Sequence, residues 1–240
     1  MVDKLELEVP RFPQPDDVSC GPTCLFQVDR FYGHERSFHD IETLVRRNPD
    51  GGTLGVYLAL AALDLGYAVT VFPYNLRIFD PTWFDLPAPE LGQRLKERAA
   101  VVKKEKLRLA TLAYADFLGR GGKVSFAEPD VDLLVGLLDR GHPVVTGLSA
   151  TWLYRSTRER PHDNVAHAIE GDPVGHFVVL CGYEDSGRRF LVSDPSPHAP
   201  FSPDGRYHVE ARRLLNSLLL GDATFDAVLL ELVPPDGDSR

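Results

Sequence analysis

The 240-residue chain is 43% hydrophobic, enough to bury a full core as one large domain or two interlocked lobes. Its net charge of −9, from 35 acidic and 26 basic residues, argues against nucleic acid or an anionic membrane as a general partner. Three cysteines suit a reducing compartment better than a disulfide framework, and no apolar run approaches the roughly 20 residues that span a bilayer, so a soluble cytoplasmic protein is expected.

Met1 to Glu6 has no apolar leader core. The first predicted helix opens at Cys20, where Gly21-Pro22 supplies a tight turn and a pre-set φ, and it runs to Tyr32 with Gly33 as its stop. Ser37 is the expected N-cap of a helix over 38–47, with Ile41, Leu44 and Val45 on one face. Asn48 to Gly52 reads as a turn, and Gly51-Gly52 as part of it rather than a cleavage site. Leu54 to Leu65 is apolar on nearly all sides, which predicts a buried helix stopped by Gly66; Ala68 to Phe72 follows as a strand. Pro73 to Pro89 is proline-rich and expected to be irregular. Glu90 to Leu118 is predicted as one long helix whose basic positions, from Arg94 to Arg108, form a solvated face or, less simply, a dock for an acidic partner.

After Gly119 the pattern changes. Val131 to Leu138 is a short helix, Pro143 to Leu148 a strand, and 150–175 a polar loop holding Trp152, Tyr154, His162 and His167. His176 to Tyr183 and Phe190 to Asp194 are strands joined at Asp185-Ser186-Gly187. Tyr207 to Val209, a helix over 211–219, a strand over 225–232 and a frayed tail over 234–240 complete the chain. Helices first and a mostly antiparallel sheet second predict an α+β fold, with a helical lobe over about 13–122 and a β lobe over about 123–233.

The candidate chemistry gathers around Cys20. A thiol at a helix N-terminus feels the positive end of the macrodipole, which favours the reactive thiolate. Gln14, six residues earlier, is placed to aim its side-chain amide where the Cys20 backbone N–H also points, and two such donors make an oxyanion hole. His176 heads a buried strand and Asp194 ends the next; pairing around 185–187 brings them together, so that the carboxylate orients the ring and the other nitrogen deprotonates a thiol. Cys24 is expected in the core, with a resolving thiol as its alternative role, and Cys181 in the core on the face opposite His176. Cys20, Cys24, His34 and His39 fit no common zinc module, so no metal or cofactor is expected. His162 and His167 are expected in solvent, with a place lining a substrate cleft beside Trp152 as the alternative.

Gln14 with Cys20-Gly21-Pro22, a glycine-led His176 on an apolar strand, and Asp194-Pro195 resemble the bacteriocin-processing, double-glycine-leader branch of papain-like cysteine peptidases, over roughly 13–232. The resemblance implies a papain-like fold with Cys20 as nucleophile, His176 as general base and acid, Asp194 as its orienter and Gln14 as oxyanion donor. Family members often precede the membrane and ATPase domains of a peptide exporter. This sequence contains no P-loop, so it looks like the stand-alone, peptidase-like relatives, acting on a peptide or protein substrate. Acyl transfer by the same residues, or a catalytically silent peptide-binding domain, are the competing expectations.

Overall fold

A computed structural model of the chain describes residues 3–48, 51–225 and 227–235. Helix α1 (Cys20–Phe31) begins at the expected residue, and the chain leaves it through Gly33 at φ +87°. Gly21 is required by close approach: a Cβ there would lie 2.7 Å from the Thr53 methyl. Helix α2 (Phe38–Leu44) starts in a capping box, Ser37 accepting from the Asp40 N–H and the Asp40 carboxylate accepting from the Ser37 N–H. It is shorter than the predicted 38–47 because Val45 turns extended; Ile41 and Val45 are buried, while Leu44 is 39% exposed. Asn48 donates to Gly52 O at 2.7 Å across the turn, whose Pro49 and Asp50 lie outside the described residues. Helix α3 (Gly55–Asp64) is buried from Gly55 to Ala62, which is why its sequence is apolar all round.

The expected single helix over 90–118 is two helices, α4 (Ala88–Val101) and α5 (Glu105–Gly119), folded back on each other. Val102 leaves the helical region at ψ 124°, and exposed Lys103 and Lys104 form the link. A straight helix of that length would run about 45 Å and carry half its apolar face past the core, whereas the break buries both Leu91-Leu95-Ala99 and Leu107-Ala110-Tyr114. Its basic residues are partly satisfied locally, Arg94 by Glu97 and Arg108 by Glu105.

Eight strands form one sheet: β1 (Leu5–Glu6), β2 (Ala68–Pro73), β3 (Lys123–Val124), β4 (Val144–Ser149), β5 (Gly175–Glu184), β6 (Arg189–Ser193), β7 (Arg206–Glu210) and β8 (Val228–Val233). The order is β3-β2-β8-β4-β5-β6-β7, with β1 on β5, and every pairing but β2–β3 is antiparallel. The α+β expectation therefore holds. Because β2 comes from the first half of the chain, the sheet draws on both halves.

Strand alternation divides the core between the two faces. Phe177, Val179 and Cys181 pack with α1, α3 and α5, while Val178 and Leu180 pack with α6 (Val131–Asp139) and α8 (Ala211–Leu220). A bulge between Leu180 and Gly182 breaks the alternation. Gly182 sits under β1, where a Cβ would lie 2.4 Å from Leu5 O. The predicted loop over 150–175 opens instead with a short helix, α7 (Ala150–Tyr154), capped by the Ser149 hydroxyl. The last strand starts at Val228 rather than 225, because Phe225 is left-handed at φ 69°; residue 226 and the predicted frayed tail from 236 lie outside the described residues. Among the described residues no helix is long and apolar enough to cross a membrane.

Candidate active site

Cys20 is the first residue of α1 and is partly exposed. The residue before it, Ser19, gives no side-chain cap, because its hydroxyl is held between Glu42 at 3.4 Å and Arg47 at 3.2 Å. Arg47 also donates to Val18 O and pairs with Glu42 at 2.8 Å, fixing the turn from which α1 departs. The first N–H groups of α1 thus carry no side-chain cap, and their partial positive charge faces the thiol.

The left-handed reversal at Asp185, Ser186 and Gly187 pairs β5 with β6 and so sets His176 beside Asp194. His176 Nε2 lies 2.8 Å from Asp194 Oδ1. Cys20 lies close enough to the same imidazole to act on it electrostatically, and Nδ1 is the ring nitrogen that Asp194 leaves open. Burial works against a charged ring here, but the Asp194 carboxylate and Cys20 outweigh it and push the His176 pKa up to about 10.

Asp194 is fully buried and accepts four hydrogen bonds. Oδ1 takes His176 Nε2 and the Ser196 N–H at 2.9 Å; Oδ2 takes Tyr154 OH at 2.7 Å and Tyr207 OH at 2.6 Å. Burial pushes the carboxyl up, yet the His176 charge and these donors leave it below the usual range. Burial and the neighbouring carboxylate drive both phenols well above theirs, so they remain donors.

The residues around this trio are cross-braced. Arg11 donates to Asp194 O and Ser196 O, each at 3.0 Å, and the Gln14 N–H donates to Pro195 O at 2.8 Å. Buried Gln27, on α1, accepts from Ser193 OH at 2.9 Å and donates to Phe12 O at 3.1 Å. One amide therefore ties α1 to the residue preceding Asp194 and to the segment carrying Gln14. Gln14 itself donates from Nε2 to Asp16 O at 2.7 Å, while its buried Oε1 has no partner among the described residues.

Cys20, His176 and Asp194 come together as the sequence suggested, and Gln14 is anchored next to Asp194 through Pro195. The sequence reading missed Tyr154, Tyr207, Arg11, Gln27 and Ser193 as members of the site. Tyr207 shares the buried face of β7 with Val209, with exposed His208 between them. Cys24 is fully buried with its thiol raised by burial and by nearby Cys20 and Asp194, and burial pushes Cys181 up to about 12. His162 is exposed, and His167 Nδ1 accepts from the Glu170 N–H at 2.9 Å, so neither joins the site. Among the described residues no three His, Cys, Asp or Glu side chains converge as a metal-binding group.

Residues 108–212 match the model of the Peptidase_C39 like family, a span that includes His176 and Asp194; Gln14 and Cys20 precede it. No curated protein matches the chain significantly. Among solved structures, the chain is similar to the peptidase domain of Streptococcus ComA, a bi-functional ABC transporter involved in a quorum sensing pathway, at 13% identity and TM-score 0.46, over 95% of this chain and 100% of that one. It is similar to a putative C39-like peptidase from Bacillus anthracis at 14% identity and TM-score 0.49, over 98% and 99%. Xylellain, a cysteine protease from Xylella fastidiosa, matches at 15% identity and TM-score 0.48, over 98% and 87%.

Proposed function

We propose that the chain, whose residues 108–212 match the Peptidase_C39 like family, is a cysteine peptidase hydrolysing a peptide or amide bond through Cys20, His176 and Asp194. One observation supports the reading above the rest: the His176 ring lies 2.8 Å from a fully buried carboxylate and within electrostatic reach of a partly exposed thiol at a helix N-terminus. His176 Nδ1 takes the Cys20 proton, and the sulfur attacks the substrate carbonyl. Nε2–H stays on Asp194, which holds the ring's orientation and stabilises the imidazolium. The Cys20 N–H and the second N–H of Gln14 Nε2, the one not on Asp16, receive the oxyanion. The imidazolium then protonates the leaving amine, the acyl group stays on Cys20, and water activated by His176 releases it.

The test is iodoacetamide labelling across pH, located by peptide mass, followed by turnover of a peptide library. Labelling of Cys20 at pH 6 much faster than of Cys24 or Cys181, together with cleavage lost in Cys20→Ala, supports the assignment. Equal labelling of the three thiols, or cleavage that survives Cys20→Ala, removes it.

A further inference from the structure

A cleft of about 970 Å³ opens between α7, β7 and the first turns of α8, away from Cys20. Its walls include Trp152, Arg155, Phe201, His208, Arg212 and Arg213. In a chain of net charge −9, such a concentration of guanidinium groups runs against the overall balance. Arg189, also on the wall, is neutralised by Glu184 at 2.7 Å. Arg155, Arg212 and Arg213 have no carboxylate partner among the described residues, and Glu210 is the single acidic wall residue. Arg213 lies over the Phe201 ring at 5.8 Å, and Trp152 is 49% exposed, so apolar surface is interleaved with the charge.

The floor supplies the second observation. Among the described residues strand β7 pairs only with β6 and forms an edge of the sheet. Asp194 N donates to Gly205 O and Ala211 N to Arg188 O, so the odd-numbered residues of this stretch face β6. The main-chain groups of His208 therefore turn to the open edge, within the cleft. An unpaired edge beside uncompensated arginines suits an extended chain bearing carboxylates, because strand addition supplies main-chain hydrogen bonds and guanidinium groups read the side chains.

We propose that this cleft binds an acidic peptide segment, laid as an additional strand along β7 with its carboxylates on Arg155, Arg212 and Arg213. A polynucleotide offers no main-chain donors to the β7 edge and meets the repulsion of the remaining surface. The site is separate from Cys20 and its assignment does not depend on turnover there. It does share a wall with the trio: the Phe201 ring packs 4.7 Å from Tyr207 and 6.0 Å from Tyr154, the two donors on Asp194. A peptide in the cleft thus packs against Phe201, whose ring also contacts the two phenols that donate to Asp194.

The experiment uses the full chain as Cys20→Ala, so that cleavage cannot interfere. The probe is a fluorescein-labelled peptide of alternating Glu and Val, read by anisotropy. Alternating Lys and Val, the acidic peptide N-methylated at alternate amides, and a fluorescein-labelled oligothymidylate of equal charge serve as comparisons. The expected result is binding of the acidic peptide alone, weakened about tenfold by Arg212→Glu with Arg213→Glu and again by raising salt from about 50 to about 300 mM. N-methylation abolishes it if the edge is used. Both arginines lie in the first turn of α8, where glutamate suits the helix dipole, and unchanged circular dichroism establishes that the variant is folded. Binding unaffected by the charge reversal, equal binding of the lysine or N-methylated peptide, or tighter binding of the oligonucleotide overturns the proposal.

Discussion

Asp194 and Glu231 are both buried carboxylates at opposite ends of β4, Glu231 opposite Val144 and Asp194 beside His176, which lies opposite Leu148. Their partners differ in kind. Glu231 Oε1 receives Arg140 at 2.7 Å and His142 at 2.8 Å, and despite burial these donors hold its carboxyl below the usual range. Asp29, a third buried carboxylate, likewise has Arg36, with Tyr67 OH at 2.8 Å. Asp194 alone of the three receives no guanidinium, only two phenols, a main-chain N–H and His176. A permanent cation spends a carboxylate's charge on itself, whereas neutral donors solvate the charge and leave it for the imidazole. The same buried group is a structural pin in one place and a tuning charge in the other.

The comparison is broken most forcefully at His176. Replacement by Ala lowers iodoacetamide labelling of Cys20 at pH 6 about a hundredfold, while Glu231→Gln leaves it unchanged. Equal effects from the two variants would erase the distinction. Asp194→Asn keeps the shape but removes the charge; labelling falls about tenfold, and unfolding in urea reports a loss of about 3 kcal/mol. Its NMR signature is a His176 titration that falls well below about 10, because burial then opposes the charged ring with less to offset it.

The pH dependence of stability separates the regions by sign. His176, raised from 6.5 to about 10, contributes stability that is complete below pH 6.5 and lost as pH climbs through 10. Asp194 and Glu231, lowered from 3.8 and 4.5, contribute stability that is present above those values and lost as pH falls beneath them. Thermal melts of His176→Gln therefore flatten on the alkaline side and, because Asp194 loses the His176 charge that lowers its carboxyl, on the acidic side as well, whereas those of Glu231→Gln flatten on the acidic side only. The smallest effects belong to the phenols. Tyr154→Phe and Tyr207→Phe each remove one hydrogen bond to a charge, costing about 1.5–3 kcal/mol in urea unfolding, with less than about threefold loss of Cys20 labelling. The double variant loses more than the sum if the two hydroxyls share the solvation of Oδ2.

Local signals carried much of this structure. The start of α1 was written in Cys20-Gly21-Pro22, the start of α2 in Ser37, and the β5–β6 hairpin in two apolar runs around Asp185-Ser186-Gly187; with them came the meeting of His176 and Asp194. What escaped depends on partners far away in the chain. Nothing near Tyr154 announces a helix rather than a loop, and nothing near Tyr207 announces a carboxylate: Tyr207 lies beside Asp194 only after β7 joins β6, and Tyr154 only after α7 packs on β5. The break at Val102 escaped because helical spacing persists on both sides of it, and only the size of the core forbids a straight continuation. Gln27 was hidden as one more residue of a helix, although burial of its amide depends on Ser193 and Phe12 as partners.

The bracing by Arg11 spans 183 residues of sequence to reach Asp194. During synthesis at about 5–20 residues per second, the thiol's helix therefore emerges roughly 10–40 s before the carboxylate that completes its surroundings. Contacts of such long range close late. The surroundings of Cys20 are thus completed only after the chain has been made through Asp194, so the order of synthesis separates the thiol in time from its buried carboxylate.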